Sequence, residues 1–301
     1  MTTAETAVTE CTEQLITPGH LACPGCGATL AMQWVLSVLG KDTVLGLPAC
    51  CFSIISGAFP HTPLNVNLVH TAFETGAAIA TGLKAGLMAT GRSQAHVVSW
   101  AGDGGTFDIG LQALSGAAER NEDIIYVCYD NEAYMNTGNQ RSSATPRFAR
   151  TTTSPAGESM HKKDIMAIMA AHSIPYAASA SISHPDDLVA KVKKAKDIPG
   201  TRFLHILVAC PTGWRMPSDM TITAARLAVE SGIFPLIEIE NGERTIITHL
   251  SEERIPVSEY LAVQGRFSGI SEDDIADIQR WVDDRWDRLM KTAEVRNPDP
   301  A

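Results

Sequence analysis

The sequence predicts an α/β fold: a doubly wound, mainly parallel sheet with a C-terminal extension. Three observations predict it. Residues 95–100 read as a buried strand, Gly102-Asp103-Gly104-Gly105 as a tight turn, 108–120 as a helix, and 124–129 as a second apolar strand. Helix and strand patterns then alternate through 162–171, 176–178, 185–196 and 203–208. Such alternation joins parallel strands by crossover helices. The third is length: the chain has 301 residues, and at roughly 150 residues per domain that fits two domains or one large α/β domain with appendages.

The other elements follow in chain order. Residues 1–19 read as an unstructured or clamping arm. Leu30, Met32, Val35, Leu36 and Leu39 recur at helical spacing before Gly40, predicting a helix over 28–39. A short strand follows at 43–47. Residues 48–69, broken by Pro48, Gly57, Pro60 and Pro63, read as an irregular loop. Small residues over 70–89 predict a closely packed helix. A polar loop runs from 130 to about 160, rich in aromatic residues, Asn and Arg; loops this long in compact domains are usually functional or disordered, and this mixture favours function. After Trp214 the pattern weakens to a hairpin, 235–240 and 244–249 around Asn241-Gly242, and an amphipathic helix over about 271–290. The expected organisation is an arm (1–19), a ligand-binding domain (20–214) and an extension (215–301) that packs on partner subunits.

Charge narrows the function. Lys and Arg number 24 against 34 Asp and Glu, a net charge of −10. Nucleic-acid binding would require a basic surface. The one tight basic cluster, Lys191, Lys193, Lys194 and Lys196, reads as a solvated helix face. No run of about 18 apolar residues predicts a transmembrane helix; the longest small, apolar run, 75–88, contains Lys84. The first ten residues are polar and acidic, unlike a secretory signal, so a cytoplasmic location is expected. Charged residues are only 19% of the chain, as fits a surface partly covered by partners.

Ligands of parallel sheets bind beyond the carboxyl ends of the strands. Gly102-Asp103-Gly104-Gly105 falls there. Glycines let backbone N–H groups approach a phosphate closely. Asp103 would repel phosphate but can hold a divalent cation that binds it. Asp130-Asn131 ends the next strand, one helix and one strand later, so Asn131 can add an oxygen ligand on the same sheet edge. The plain alternative is a turn followed by a helix cap at Asp108. This pair resembles the diphosphate-binding motif of thiamine diphosphate enzymes. The resemblance implies Mg²⁺ on Asp103 and Asn131, with Ala133 adding a backbone oxygen.

The cysteines give a second signal. Cys23-Pro-Gly-Cys26, Cys50-Cys51 and Cys210 suit Zn²⁺ or an iron–sulfur cluster about equally. A thioredoxin-like pair would need a strand before Cys23, and none is evident. Cys11 and Cys128 read as bystanders.

Together these signals are specific. Cys23-Pro-Gly-Cys26-Gly, Cys51, Gly102-Asp-Gly-Gly, the run Tyr129-Asp-Asn-Glu-Ala-Tyr-Met-Asn-Thr-Gly138, Arg141-Ser-Ser-Ala-Thr-Pro146 and Cys210-Pro-Thr-Gly-Trp214 resemble the β subunit of pyruvate:ferredoxin oxidoreductase, over roughly residues 20–265. The resemblance implies the thiamine diphosphate-binding type of sheet, with thiamine diphosphate, Mg²⁺ and one 4Fe–4S cluster. It places the cluster on Cys23, Cys26, Cys51 and Cys210. It sets Ala28 and Cys51 beside the cofactor, Gly102, Gly104, Gly105, Tyr134 and Met135 around it, and Asn136 by the substrate as the catalytic side chain. Where this chain has Cys50-Cys51 the family usually has glycine before one cysteine, and the spacing matches Cys51.

The activity so implied is oxidative decarboxylation of a 2-oxoacid, pyruvate foremost, a pyruvate synthase of class EC 1.2.7. Electrons would pass through the cluster to ferredoxin and the acyl group to coenzyme A. The glutamate that thiamine enzymes place at the aminopyrimidine is expected on a pyrimidine-domain subunit, and the outgoing clusters on a ferredoxin-like subunit or domain. Glu74, expected within the 70–89 helix, is a weaker candidate for that glutamate. Three other readings stand beside this one: an oxidoreductase for oxalate, branched-chain 2-oxoacids or 2-oxoglutarate; a non-catalytic, zinc-stabilised assembly subunit; and a non-redox thiamine decarboxylase.

Overall fold

The computed structural model describes residues 14–251 and 253–296. Cys11 and most of the expected arm lie outside the described residues; within it, Leu15 and Ile16 are buried, and Ile16 bridges to Leu64.

The chain begins with helix α1 (Gly27–Leu39), β1 (Thr43–Pro48) and a single turn, α2 (Phe52–Ile55). Edge strand β2 (Asn67–Thr71) and α3 (Gly76–Ala89) lead to β3 (His96–Gly102). Then come α4 (Leu111–Glu119), β4 (Ile124–Asp130), α5 (Ile165–Ala171) and β5 (Tyr176–Ser181). After α6 (Pro185–Asp197), β6 (Thr201–Leu207) and α7 (Pro211–Trp214), the C-terminal part adds α8 (Thr221–Glu230), β7 (Ile237–Glu240) and β8 (Arg244–Ile247). It ends with α9 (Val257–Ala262), α10 (Glu272–Thr292) and β9 (Glu294–Val295).

The strands form one sheet in the order β2-β1-β3-β4-β6-β5-β7-β8-β9. Neighbours from β2 to β5 are parallel; β7 is antiparallel to β5 and β8. The alternating pattern read from the sequence is therefore the architecture. Strands β1, β3, β4, β5 and β6 are buried almost throughout because helices cover both faces. From β1 the chain moves outward to β2, then returns as β3 on the other side of β1. Reversals of this kind open a crevice at the carboxyl ends of the flanking strands.

Local chemistry sets the boundaries. Gly40, at φ +81°, closes α1 with its N–H on Leu36 O at 2.7 Å. Ser271 and Asp274 cap α10 reciprocally. Asn241 and Gly242, both at positive φ, turn β7 into β8 as expected.

Several expectations change. The predicted 48–69 loop contains α2 and the start of β2, and the 70–89 helix starts at Gly76. Strand β2 is largely exposed, so it carries no apolar alternation to read. Glu74 lies in the turn before α3, exposed and outside any helix. Gly104–Asp108 winds as a π-helical turn continuing into α4, so Asp108 caps nothing. The 215–301 segment lengthens the main sheet through β7, β8 and β9.

The solvated lysine face is also corrected. Lys191 is 1% exposed and donates to Ser179 O (2.7 Å), Asp187 Oδ2 (2.6 Å) and Thr248 Oγ1 (2.8 Å). Lys194 pairs with Glu238 and Glu240 of β7. Lys191 and Lys194 are thus part of the contact between α6 and the C-terminal part of the chain, while Lys196 donates to Val38 O of α1 at 2.9 Å and Lys193 stays exposed. Among the described residues no helix is long and apolar enough to cross a membrane.

Removing one partner of a buried, bonded charge strands the other. Lys191→Ala should cost about 3–5 kcal/mol in denaturant unfolding, whereas exposed Lys41→Ala should stay within about 0.5 kcal/mol. Equal effects would contradict the buried role.

Candidate active site

Three strand ends converge. Ala49-Cys50-Cys51 follows β1, Asp103-Gly104-Gly105 follows β3, and Asn131 follows β4. They wall a cleft of about 150 Å³, with Phe73, Tyr129, Tyr134, Met135 and Asn136. Residues 103, 104, 105, 131, 133, 134, 135 and 136, predicted from separate motifs, thus line one space. Ala28 lies apart from it, buried in the first turn of α1.

Asp103 is 1% exposed. Ser142 Oγ donates to its Oδ2 at 2.5 Å. Burial, then the negative charge of Asp130, raises Asp103 well above the ordinary carboxylate range. A carboxylate in that state gains by meeting a cation. The amides of Gly104 and Gly105, in the first turn of a helix, have no intrahelical acceptor to reach and can meet phosphate oxygens. Glycine is required at 104: a Cβ there would lie 2.1 Å from the Tyr134 ring. Tyr134 is held by its hydroxyl on Asp108 Oδ2 at 2.7 Å.

The Asn131 loop is pinned from several sides. Ala133 N donates to Asn131 Oδ1 (3.3 Å), Trp214 Nε1 to Asn131 O (2.9 Å) and Thr145 Oγ1 to Glu132 O (2.8 Å). Among the described residues no hydrogen bond ends on Ala133 O. Asp103, Asn131 and Ala133 O can therefore supply oxygen ligands to a hard cation.

Below this loop lies an ion network that sequence reasoning missed. Asp130, fully buried, meets Lys162 and His205 Nε2 (2.7 Å). Glu132 meets Lys162 (3.0 Å) and Arg266 (2.5 Å). Burial works to raise Asp130, but Lys162 and His205 outweigh it and hold it at about 2. Burial also lowers His205 despite Asp130, which keeps the imidazole neutral. Adjacency to Asn131 was the one available signal for Asp130. Ser142 was visible only inside the 141–146 run, with no role attached.

The thiols form a second group. Cys26, Cys51 and Cys210 stand at the N-cap positions of α1, α2 and α7. Burial raises the Cys26 thiol, opposed by backbone N–H groups of Ala28 and Thr29, with the charge of Cys23 adding to the rise. Burial pushes Cys210 up to about 11, opposed by Gly213 and Thr212 N–H groups, with Cys26 and Cys23 adding. Cys51 is raised by burial and then by the charges of Cys50, Cys210 and Cys26. Cys51, Cys26 and Cys210 thus stand within electrostatic range of one another, and Cys23 within range of Cys26 and Cys210. Cys50 instead meets the Tyr129 side chain. Cys128 is buried in β4. Among the described residues no three His, Cys, Asp or Glu side chains close tightly around a single ion. A larger cavity lies under α10 and carries none of the thiols or the diphosphate-loop glycines.

A doubly wound sheet with Gly-Asp-Gly-Gly and Asn at adjacent strand ends defines a thiamine diphosphate-binding domain. Residues 50–206 match the thiamine pyrophosphate enzyme, C-terminal TPP-binding domain family. Ketoisovalerate oxidoreductase subunit VorB of Pyrococcus abyssi is 51% identical over 288 residues, covering 92% of this chain and 93% of its own. Pyruvate synthase subunit PorB of Methanocaldococcus jannaschii is 49% identical over 285 residues, covering 91% and 95%. The chain therefore belongs to the 2-oxoacid:ferredoxin oxidoreductase family, among the PorB and VorB subunits. The 2-oxoglutarate:ferredoxin oxidoreductase of Magnetococcus marinus shares the fold at TM-score 0.57 and 22% identity, over 71% of this chain and 81% of that one.

A carboxylate whose folded pKa is raised destabilises the fold above its unfolded pKa, near 4. In EDTA, Asp103→Asn should raise the melting temperature at pH 7 by at least about 2 °C. The gain should shrink as pH falls through about 4 and vanish below about 3, where both states carry a protonated Asp103. Thermal melts of both proteins across this range provide the check, and a lower melting temperature for the variant at pH 7 would refute the assignment.

Proposed function

We propose that this chain is the catalytic, thiamine diphosphate-binding β subunit of a 2-oxoacid:ferredoxin oxidoreductase acting on pyruvate. The reading rests on one observation: Cys51, Asp103 and Asn131 meet at the ends of β1, β3 and β4, with Cys210 beyond the adjoining β6. Asp103, Asn131 and Ala133 O hold Mg²⁺, and the Gly104 and Gly105 amides receive the diphosphate. Bound thiamine diphosphate supplies a nucleophilic carbon and a sink for the electron pair left by decarboxylation. Around it, Tyr134 and Met135 position the cofactor, and Asn136 at the cleft rim faces the 2-oxoacid.

Cys23, Cys26, Cys51 and Cys210 hold a 4Fe–4S cluster, which supplies a one-electron acceptor. One tetrahedral Zn²⁺ would need its sulfurs about 2.3 Å from a single point; a multi-iron cluster accepts them at separate corners. The cytoplasm keeps such thiols reduced. Electrons leave to ferredoxin through a ferredoxin-like subunit or domain, and coenzyme A takes the acyl group.

The cleft supports dependence on partners. Its 150 Å³ falls short of the roughly 300–1,000 Å³ of complete small-molecule sites. A pyrimidine-domain subunit closes the remainder. Phe59, 98% exposed, and Ile54 and Leu21 offer apolar surface for such contacts. The 51% identity to a ketoisovalerate oxidoreductase subunit favours a second substrate reading, a branched-chain 2-oxoacid.

Initial rates of the complete complex with coenzyme A and a dye acceptor, over pyruvate, 2-oxoisovalerate, 2-oxoglutarate and oxalate, decide the substrate. Pyruvate should lead; a 2-oxoisovalerate lead selects the second reading. Asp103→Ala should abolish Mg²⁺-dependent thiamine diphosphate binding in calorimetry, and unchanged affinity would remove the diphosphate site. Anaerobic Cys51→Ser protein should lose the broad absorption near about 400 nm, whereas Cys50→Ser should keep it. The opposite pattern would transfer the ligand role to Cys50.

A further inference from the structure

A cavity of about 780 Å³ lies between α5, β7 and α10, outside the proposed reaction site. Close-packed interiors leave few voids larger than a water molecule. This volume falls in the range of small-molecule sites. The cavity has two chemically distinct parts. Met166, Ala170, Ile237, Ile239 and Leu289 make an apolar wall, while α10 contributes Arg285, Arg288 and Lys291.

Those three cations differ from the others around the cavity. Arg147 pairs with Asp277 at 2.9 Å, and Lys162 with Asp130 and Glu132. Among the described residues no carboxylate lies within ion-pair distance of Arg285, Arg288 or Lys291. Arg285 has one long bond, to Ile233 O at 3.4 Å, and sits 5.6 Å from the Trp281 ring centre. Burial lowers its pKa; Asp164 opposes this and the like charge of Arg288 adds to it. A half-buried guanidinium beside a second, exposed one is stabilised by an anion, which arginine grips through two parallel bonds. The chain as a whole carries −10, so the attraction is local to this patch.

We propose that the cavity binds an anionic amphiphile, a carboxylate or phosphate headgroup on an apolar chain. The headgroup meets Arg285 and Arg288, and the chain lies against Ala170, Ile237 and Ile239. The site is separate from the cleft at Asp103, so its occupancy can be read without turnover.

Calorimetry on the purified full chain, with any subunits that accompany it, tests this. Decanoate, decyl phosphate, uncharged decanol and inorganic phosphate are the probes. One or both anionic amphiphiles should bind saturably at one per chain. Decanol and inorganic phosphate should each bind at least about tenfold more weakly, each lacking one half of the recognition. Arg285→Gln with Arg288→Gln should reduce anion affinity at least about tenfold and leave decanol unchanged. Ala170→Leu, which narrows the apolar wall from another helix, should weaken the amphiphiles without affecting melting of the unliganded protein. No saturable binding, equal affinity for decanol, or undiminished affinity in the double variant would overturn the proposal.

Discussion

Three carboxylates, Asp103, Asp130 and Glu132, are buried side by side at the ends of β3 and β4. Buried charge must be balanced. Lys162 answers Asp130 and Glu132, and Arg266 answers Glu132 a second time. His205 adds a hydrogen bond to Asp130 without adding charge. Asp103 alone lacks a cationic partner among the described residues, having a hydroxyl from Ser142 instead. The network therefore keeps Asp130 ionised while leaving its neighbour in need of a cation.

That balance explains distant parts of the chain. Arg266 comes from the segment after α9, yet it reaches Glu132 and lies 4.2 Å from the Trp214 ring centre. Trp214 bonds the Asn131 carbonyl through its indole, while its own N–H bonds Cys210 O at 2.8 Å. Gly213 lets Met135 close in beside Cys210: a Cβ there would meet the Met135 sulfur at 2.3 Å. One rigid set of contacts thus joins the oxygen-ligand loop to the thiol group. Glu132 takes a positive φ of 66° to serve this arrangement, a backbone cost that surrounding bonds must offset.

The aromatic layer beneath the cleft serves the same end. Phe52, Trp100 and Tyr129 pack with ring centres 5.4–5.8 Å apart. They tie the Cys50-Cys51 turn to β3 and β4, so that the first strand end is fixed against the other two.

The sequence by itself determined the parallel core, because buried strands and amphipathic helices carry periodic apolar signals that local reading detects. It also determined the Asp103, Asn131 and cysteine motifs, whose chemistry is written in residue type and spacing. Exposed β2 gave no such signal, being held by its backbone ladder to β1. Lys191 looked solvated because two of its three partners, Ser179 and Thr248, lie 12 and 57 residues away. The Lys162–Asp130–Glu132–Arg266 network spans 134 residues between Glu132 and Arg266. Only the tertiary structure decided these, since charge pairing acts through space and leaves no period in the chain.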